Sequence, residues 1–138
     1  MTGDEFVARL RRFDDSPEVL AMLADLKVSK KPKMSSGNID ARIDKKGLSL
    51  VFVPEGPKTS RLVFTAVQFE EGYEGELPRG LSLTDTRTQV RAKLGPPTEV
   101  YDDYNMDLWR SDGLQLSVDY SDDDDVVTLV TVELPKEG

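Results

Sequence analysis

Aspartate dominates the chemistry open to this chain of 138 residues. Four stand together at Asp122, Asp123, Asp124 and Asp125, two more at Asp102 and Asp103, and another at Asp119. Grouped carboxylates can chelate a hard cation, supply acid and base to a glycosidase-type reaction, or present negative charge to a basic protein. A calcium loop spaces its oxygen ligands, places Gly at the sharp turn and closes on a bidentate Glu. The run 122–125 has none of these features, so no metal is expected there. Glycosidase chemistry needs two carboxyls at a set separation across a pocket, and the sequence marks out no such pair. A solvated hairpin loop and a charged interface are the remaining readings. Tyr101 and Tyr104 bracket Asp102 and Asp103; tyrosine is enriched at interface hot spots, and aspartate can pair with Arg or Lys of a cation-lined cleft. Tyr73 and Glu74 stand in a second acidic stretch with Glu70, Glu71 and Glu76. The candidate partner-binding residues are therefore Tyr73, Glu74, Tyr101, Asp102, Asp103, Tyr104, Asp119 and the run 122–125, each with a plain surface loop as its competing reading.

Other chemistry is removed by composition. The chain has no Cys and no His, so it cannot form thiolate or imidazole metal sites, a Ser–His–Asp or Cys–His system, or a histidine general base. No cofactor is expected, and no enzymatic activity. The formal charge of −8 is uneven: residues 1–69 hold 12 basic against 9 acidic side chains, and residues 70–138 hold 6 against 17. The strongly acidic second half disfavours nucleic acid as a ligand and favours a basic partner. Lys30, Lys31, Lys33, Lys45 and Lys46 form a basic patch without interleaved aromatic residues, which does not suit specific nucleic-acid binding. No apolar run approaches the roughly 20 residues of a membrane span. The start, MTGDEFVARLRRF, lacks the apolar core of a secretory signal, and a cytoplasmic location is expected.

The candidate loops need elements to hold them, and the clearest lies in residues 77–97, LPRGLSLTDTRTQVRAKLGPP. Thr86 and Gln89 are spaced as a capping box, Val90 and Leu94 fall on one helical face, and Gly95, Pro96 and Pro97 stop the helix. Two helices are predicted earlier: one over residues 4–12, with Phe6, Val7, Leu10 and Phe13 clustered, and one through Leu26 that Asp15 or Ser16 can cap, with Pro17 in its first turn. Alternation predicts strands at 39–44, from Leu48 to a stop at Pro54, 61–69, 106–110, 114–120 and 126–134, with turns at Lys45-Lys46-Gly47 and Ser111-Asp112-Gly113. In the third strand Val63, Thr65, Val67 and Phe69 share one face and Leu62, Phe64, Ala66 and Gln68 the other. In the last, Val126, Val130, Val132 and Leu134 point inward. Trp109 is read as core or sheet packing.

The two halves share an order of elements: helix, strand, Gly turn, strand, loop, strand. KGLSLVF over DGLQLSV, RLVFTAVQF over VVTLVTVEL, and Val19 and Leu23 over Val90 and Leu94 extend the match to residues. The expected fold is α+β in a single domain: two tandem αβββ units, about 14–76 and about 77–135, after an extra N-terminal helix at about 4–12. They form one antiparallel sheet of about six strands with helices on one face. The other face is left open, presenting Ser49, Val51, Phe64, Ala66, Gln68, Gln115, Ser117, Asp119, Leu129, Thr131 and Glu133 as a docking surface.

Val90, the helix end Leu94-Gly95-Pro96-Pro97 and Trp109 on the following strand resemble the tandem fold of the β-lactamase inhibitor protein and of small outer-membrane assembly lipoproteins. The wider layout over residues 15–134 is similar to acidic immunity proteins that bacteria encode beside secreted toxins. The lipoproteins carry a lipidated Cys, and this chain has no Cys. The resemblance implies an immunity protein that neutralises a cognate bacterial toxin with a basic active-site surface, occluding it through acidic and aromatic loops and the open sheet face. The alternative is a non-enzymatic small-ligand-binding or envelope-assembly module of the same fold.

Overall fold

Two Gly turns set the frame. Lys46 and Gly47 have φ of 35° and 78°, and Asp112 and Gly113 have φ of 54° and 73°; two consecutive positive φ values define the type I′ turn, whose twist matches the strands it joins. The computed structural model describes residues 1–35, 37–56 and 61–135. Helices α1 (Gly3–Ala8), α2 (Pro17–Asp25) and α3 (Arg87–Leu94) accompany strands β1 (Ala41–Lys45), β2 (Leu48–Pro54), β3 (Leu62–Glu70), β4 (Glu99–Tyr101), β5 (Met106–Ser111), β6 (Leu114–Tyr120) and β7 (Val127–Glu133). The fold is α+β, with one antiparallel sheet in the order β1-β2-β3-β7-β6-β5-β4. Seven strands stand where about six are expected, because β4, three residues long, adds an outer edge beside β5.

Capping follows the sequence. Thr86 accepts from the N–H of Gln89 while the Gln89 side chain accepts from the N–H of Thr86, and Ser16 accepts from Val19 ahead of Pro17. Thr2 and Glu5 form a second capping box. The first helix ends at Ala8, not near residue 12. Arg11 adopts a left-handed φ of 76°, and residues 11–14 run along β3 instead, with Phe64 donating to Arg12 O and Asp14 donating to Leu62 O. Phe6 and Leu10 remain buried.

One hydrophobic core joins the helices to one sheet face through Phe6, Val19, Met22, Leu50, Phe52, Phe64, Val67, Phe69, Val90, Trp109, Val118 and Val130. Here β3 departs from unbroken alternation. Val51 pairs with Ala66 but Phe52 with Phe64, so Thr65 is an extra residue, a β-bulge. Leu62, Phe64, Val67 and Phe69 all face the core, while Val63, Thr65, Ala66 and Gln68 do not. Phe64 is thus 0% exposed rather than on the open face, and Val63 and Thr65 leave the face assigned to them. The same happens in β7. Asp119 pairs with Leu129 and Tyr120 with Val127, so Thr128 is extra and Val127 takes the inward place expected for Val126.

The registers of the two halves correspond, two residues away from the sequence match: the bulges set Phe64 against Val127 and Phe52 against Tyr120, where the sequence match expects Leu129 and Val118. β3 pairs with β7 through Ala66–Glu133, Gln68–Thr131 and Glu70–Leu129, a pattern unchanged when the strands exchange roles about the Gln68–Thr131 pair. Phe13 bridges Val63 just ahead of α2, and Thr86 bridges Val126 just ahead of α3. Asp14 donates to Leu62 O as Arg87 donates to Asp125 O, and Phe64 donates to Arg12 O as Val127 donates to Asp85 O.

Gly47 carries a double requirement. Beyond its positive φ, a Cβ there would lie 2.3 Å from the backbone N of Tyr73, whereas a Cβ on Gly113 would meet only the end of the Arg11 side chain, at 2.7 Å. Gly113→Ala is expected to cost about 1 kcal/mol, the penalty for a Cβ in left-handed backbone. Gly47→Ala costs clearly more, because main chain must also move. Thermal unfolding of the two variants checks this, and equal losses would refute the contact.

Candidate functional site

In β5 the pleat sends Met106, Leu108 and Arg110 to the open face and Asp107 and Trp109 to the core. Asp107 is 0% exposed. An isolated buried carboxylate would be costly, and α3 supplies the compensation: Arg87 and Arg91, one turn apart, share a helix face. Arg91 donates Nε and Nη2 to the two Asp107 oxygens at 2.9 and 2.8 Å, a bidentate fork. Tyr120 Oη donates to Asp107 Oδ2 at 2.9 Å, and Arg87 Nη1 lies 3.6 Å from Oδ1. Arg87 then turns outward. Its Nε and Nη2 donate to Asp125 at 2.7 and 2.9 Å, it donates to the Asn105 side-chain oxygen, and its guanidinium lies 4.4 Å from the centre of the Tyr120 ring. Asn105, in left-handed backbone at φ 51°, donates Nδ2 to the carbonyls of Tyr120 and Ser121, both at 3.0 Å.

The electrostatics follow from these contacts. Burial, reinforced by the bond to Asp107, pushes the Tyr120 phenol well above its ordinary range. The hydrogen bond from Arg87 holds the Asp125 carboxyl below the usual carboxylate range, and the bonds to Asp125 and Asp107 raise Arg87 and Arg91 respectively. Asp107 accepts from the Arg91 guanidinium and the Tyr120 phenol and is paired with Arg87 at 3.6 Å, so its carboxylate is placed as an anchor. No buried side-chain polar atom among the described residues lacks a hydrogen-bond partner.

What the network anchors is the pair of loops at one end of the sheet. Residues 102–104 form a short 3-10 turn and residues 121–126 link β6 to β7; Asn105 and Arg87 cross-brace the two. Asp102, Asp103, Asp122, Asp123 and Asp124 are exposed, and Tyr104 is 75% exposed. Asp125 belongs to the brace itself. Tyr101, half-buried in β4, donates to Glu99, which pairs with Arg110 at 2.8 Å. Asp119 lies on the open face between Met106 and Leu129, and its burial raises its carboxyl.

Register places Tyr73 and Glu74 at the same end. Tyr101, Met106, Asp119, Leu129 and Glu70 form one row across the sheet, and residues 71–76 continue from Glu70. Glu74 is exposed. Tyr73 instead packs edge-on against Phe69, with ring centres 5.0 Å apart. All eleven candidate residues therefore belong to one end of the sheet, with the loops around Asp102 and Asp123 braced together and Tyr73 turned toward the core. Trp109 is 8% exposed and donates Nε1 to Gly95 O at 3.1 Å, tying the stop of α3 to β5.

The open face carries Ser49, Val51, Ala66, Gln68, Gln115, Ser117, Asp119, Leu129, Thr131 and Glu133, as alternation predicts. Its centre is sunken: Val51, Ala66, Leu108 and Thr131 are buried although they lie on the face away from the core. Beside them Val51, Val53, Val63 and Ala66 floor an open groove of about 630 Å³.

Sequence reasoning missed Arg87, Arg91, Asn105, Asp107 and Tyr120. A usable signal was present, since two arginines four apart on the helix and an Asp on the same strand parity as Trp109 imply an inward charge and its counter-ions. Among the described residues no group of three or more acidic side chains is placed to hold a metal ion, and no helix is long and apolar enough to cross a membrane. No protein-family model, curated protein or solved structure matches this chain.

Proposed function

We propose that this chain is a cytoplasmic immunity protein that binds a bacterial toxin and covers its active site. The observation that carries the reading is the braced end of the sheet. Five exposed aspartates and an exposed tyrosine are presented there from two loops fixed to each other by Arg87 and Asn105. Such a surface fits a basic protein cleft. Its charge speeds association, its aromatic group slows release, and its pre-set geometry reduces the ordering cost of binding. The sunken open face, contiguous with Asp119, extends the contact area.

We also infer that the fold is a tandem of two αβββ units, with β4 added in the second. The exchange-invariant β3–β7 register, a bulge in the third strand of each unit and matching bridges ahead of α2 and α3 support a duplication. The small-ligand alternative has a narrower basis. The cleft between α1 and the sheet, lined by Val7, Trp109, Leu114, Leu116 and Val132, holds about 120 Å³, against roughly 300–1,000 Å³ for ligand pockets; the groove of about 630 Å³ on the open face has that volume but lies open to solvent.

The test is co-expression with the product of the neighbouring gene. Protection from its toxicity and a one-to-one complex are the expected results; a harmless neighbour or an unprotected cell would overturn the reading. Within such a complex, Asp102→Lys with Asp103→Lys is expected to slow association about 10- to 100-fold at low salt, with the gap closing as salt is added. Stopped-flow mixing across a salt series measures it, and an unchanged rate at low salt would remove this loop from the contact.

A further inference from the structure

The corresponding registers allow each half of the sheet to serve as a control for the other. Tyr120 occupies in the second half the place of Phe52 in the first, Asn105 that of Ala41, Asp107 that of Ile43, and Asp125 that of Leu62. Arg87, whose N–H donates to Asp125 O, stands where Asp14 donates to Leu62 O. In the first half Ala41, Phe52 and Leu62 are buried in the core that also holds Val19, Met22 and Leu23 of α2, and none of these three positions carries a charge. The corresponding strand positions are therefore apolar in the first half, with Ile43 half-buried, and the place of Arg87 is taken by Asp14, whose carboxylate accepts from Leu62 N at 3.2 Å.

A buried ion cluster is, on balance, no more stabilising than the apolar residues that could replace it. We infer that Arg87, Arg91, Asn105, Asp107 and Tyr120 form a clamp that fixes the loops 101–105 and 121–126 in the arrangement the partner meets, and that the fold does not require them. Apolar packing is non-directional and cannot set a loop's conformation; the fork from Arg87 to Asp125 and the two bonds from Asn105 to the carbonyls of Tyr120 and Ser121 can. Asp107 is the root of the clamp, since its charge holds Arg91 directly and offsets that of Arg87. The inference rests on the immunity reading for its purpose, but its physical content lies in the free protein. The five side chains are positioning residues and need touch no partner atom.

The experiment is hydrogen exchange on the unbound chain. The reporters are Ser121, Asp125 and Val126, whose N–H groups donate to Val126 O, Ser121 O and Ser121 Oγ at 2.8, 3.2 and 3.2 Å. Asn105→Gly keeps the left-handed backbone and deletes only the side-chain amide. Exchange of these amides is expected to rise about tenfold, the scale of a lost hydrogen bond, with Val118 and Val130 unchanged. Unchanged loop exchange, or an equal rise throughout the sheet, would overturn the clamp. A second variant gives the three strand positions their first-half residues, Asn105→Ala, Asp107→Ile and Tyr120→Phe, and adds Arg87→Met and Arg91→Leu so that no charge is stranded. It is expected to fold with an undiminished Tm while its two loops lose protection; failure to fold, or a lowered Tm, would show that the fold requires the network. Because no partner is present, a failure here leaves the immunity reading standing, and a failed protection assay leaves the clamp standing.

Discussion

Asp107→Ala is expected to remove about 3–5 kcal/mol of folding stability, the cost of breaking a buried ion pair from one side. The substitution deletes the acceptor for the Arg91 fork and for Tyr120 Oη at once. Arg91 can swing partly into water, but Tyr120 is 4% exposed and its hydroxyl loses the carboxylate it donates to. Arg87 loses the negative charge at 3.6 Å and keeps Asp125. Against a total stability of about 5–15 kcal/mol for a domain of this kind, the loss is severe. Urea unfolding measures it, with the transition midpoint falling at nearly constant slope. Asp107→Asn, which retains acceptor and shape while removing charge, loses less. A wild-type midpoint for Asp107→Ala would mean that the guanidinium groups are not anchored by this carboxylate. The same site thus gives opposite results by two routes, since removing one partner strands the others and removing the whole set strands none.

This contrast explains what was legible in the sequence. Local signals were read correctly because each is complete within a few residues: Thr86 with Gln89, Ser16 with Pro17, and the two Gly turns need no partner from elsewhere in the chain. The positions of the six longer strands followed from alternation between the same marks. The seventh, β4, was not read, because Glu99, Val100 and Tyr101 form too short a run to show a period and stand just after Pro96 and Pro97. Asp107 was passed over for a different reason. Its partners Arg91 and Arg87 lie 16 and 20 residues upstream, and only docking of α3 on the sheet brings them together. The loop aspartates form a run, whereas the residues that hold the loops are scattered from Arg87 to Tyr120.

The bulge in β3 shows how alternation fails, and it supplies the last expected result. Residues 61–69 read as unbroken alternation because Val63 and Thr65 suit either face of a sheet, so nothing local marks the inserted residue. Phe64 lies against Phe52 with ring centres 5.1 Å apart and is fully buried. Phe64→Ala is expected to cost about 3–5 kcal/mol, where an open-face phenylalanine would cost little. Deleting Thr65 is the sharper experiment. Without it Leu62, Phe64, Val67 and Phe69 fall on one face by simple alternation, the face they already occupy, and what is lost is the bond from Leu134 N to Thr65 O and that from Thr65 Oγ1 to Val51 O. The deletion is therefore expected to fold and to cost less than Phe64→Ala. Had the strand been unbulged, the same deletion would throw half its side chains to the wrong face and leave the chain unfolded. Circular dichroism melts of the two variants side by side give the answer, and a deletion variant less stable than Phe64→Ala would reject the bulge.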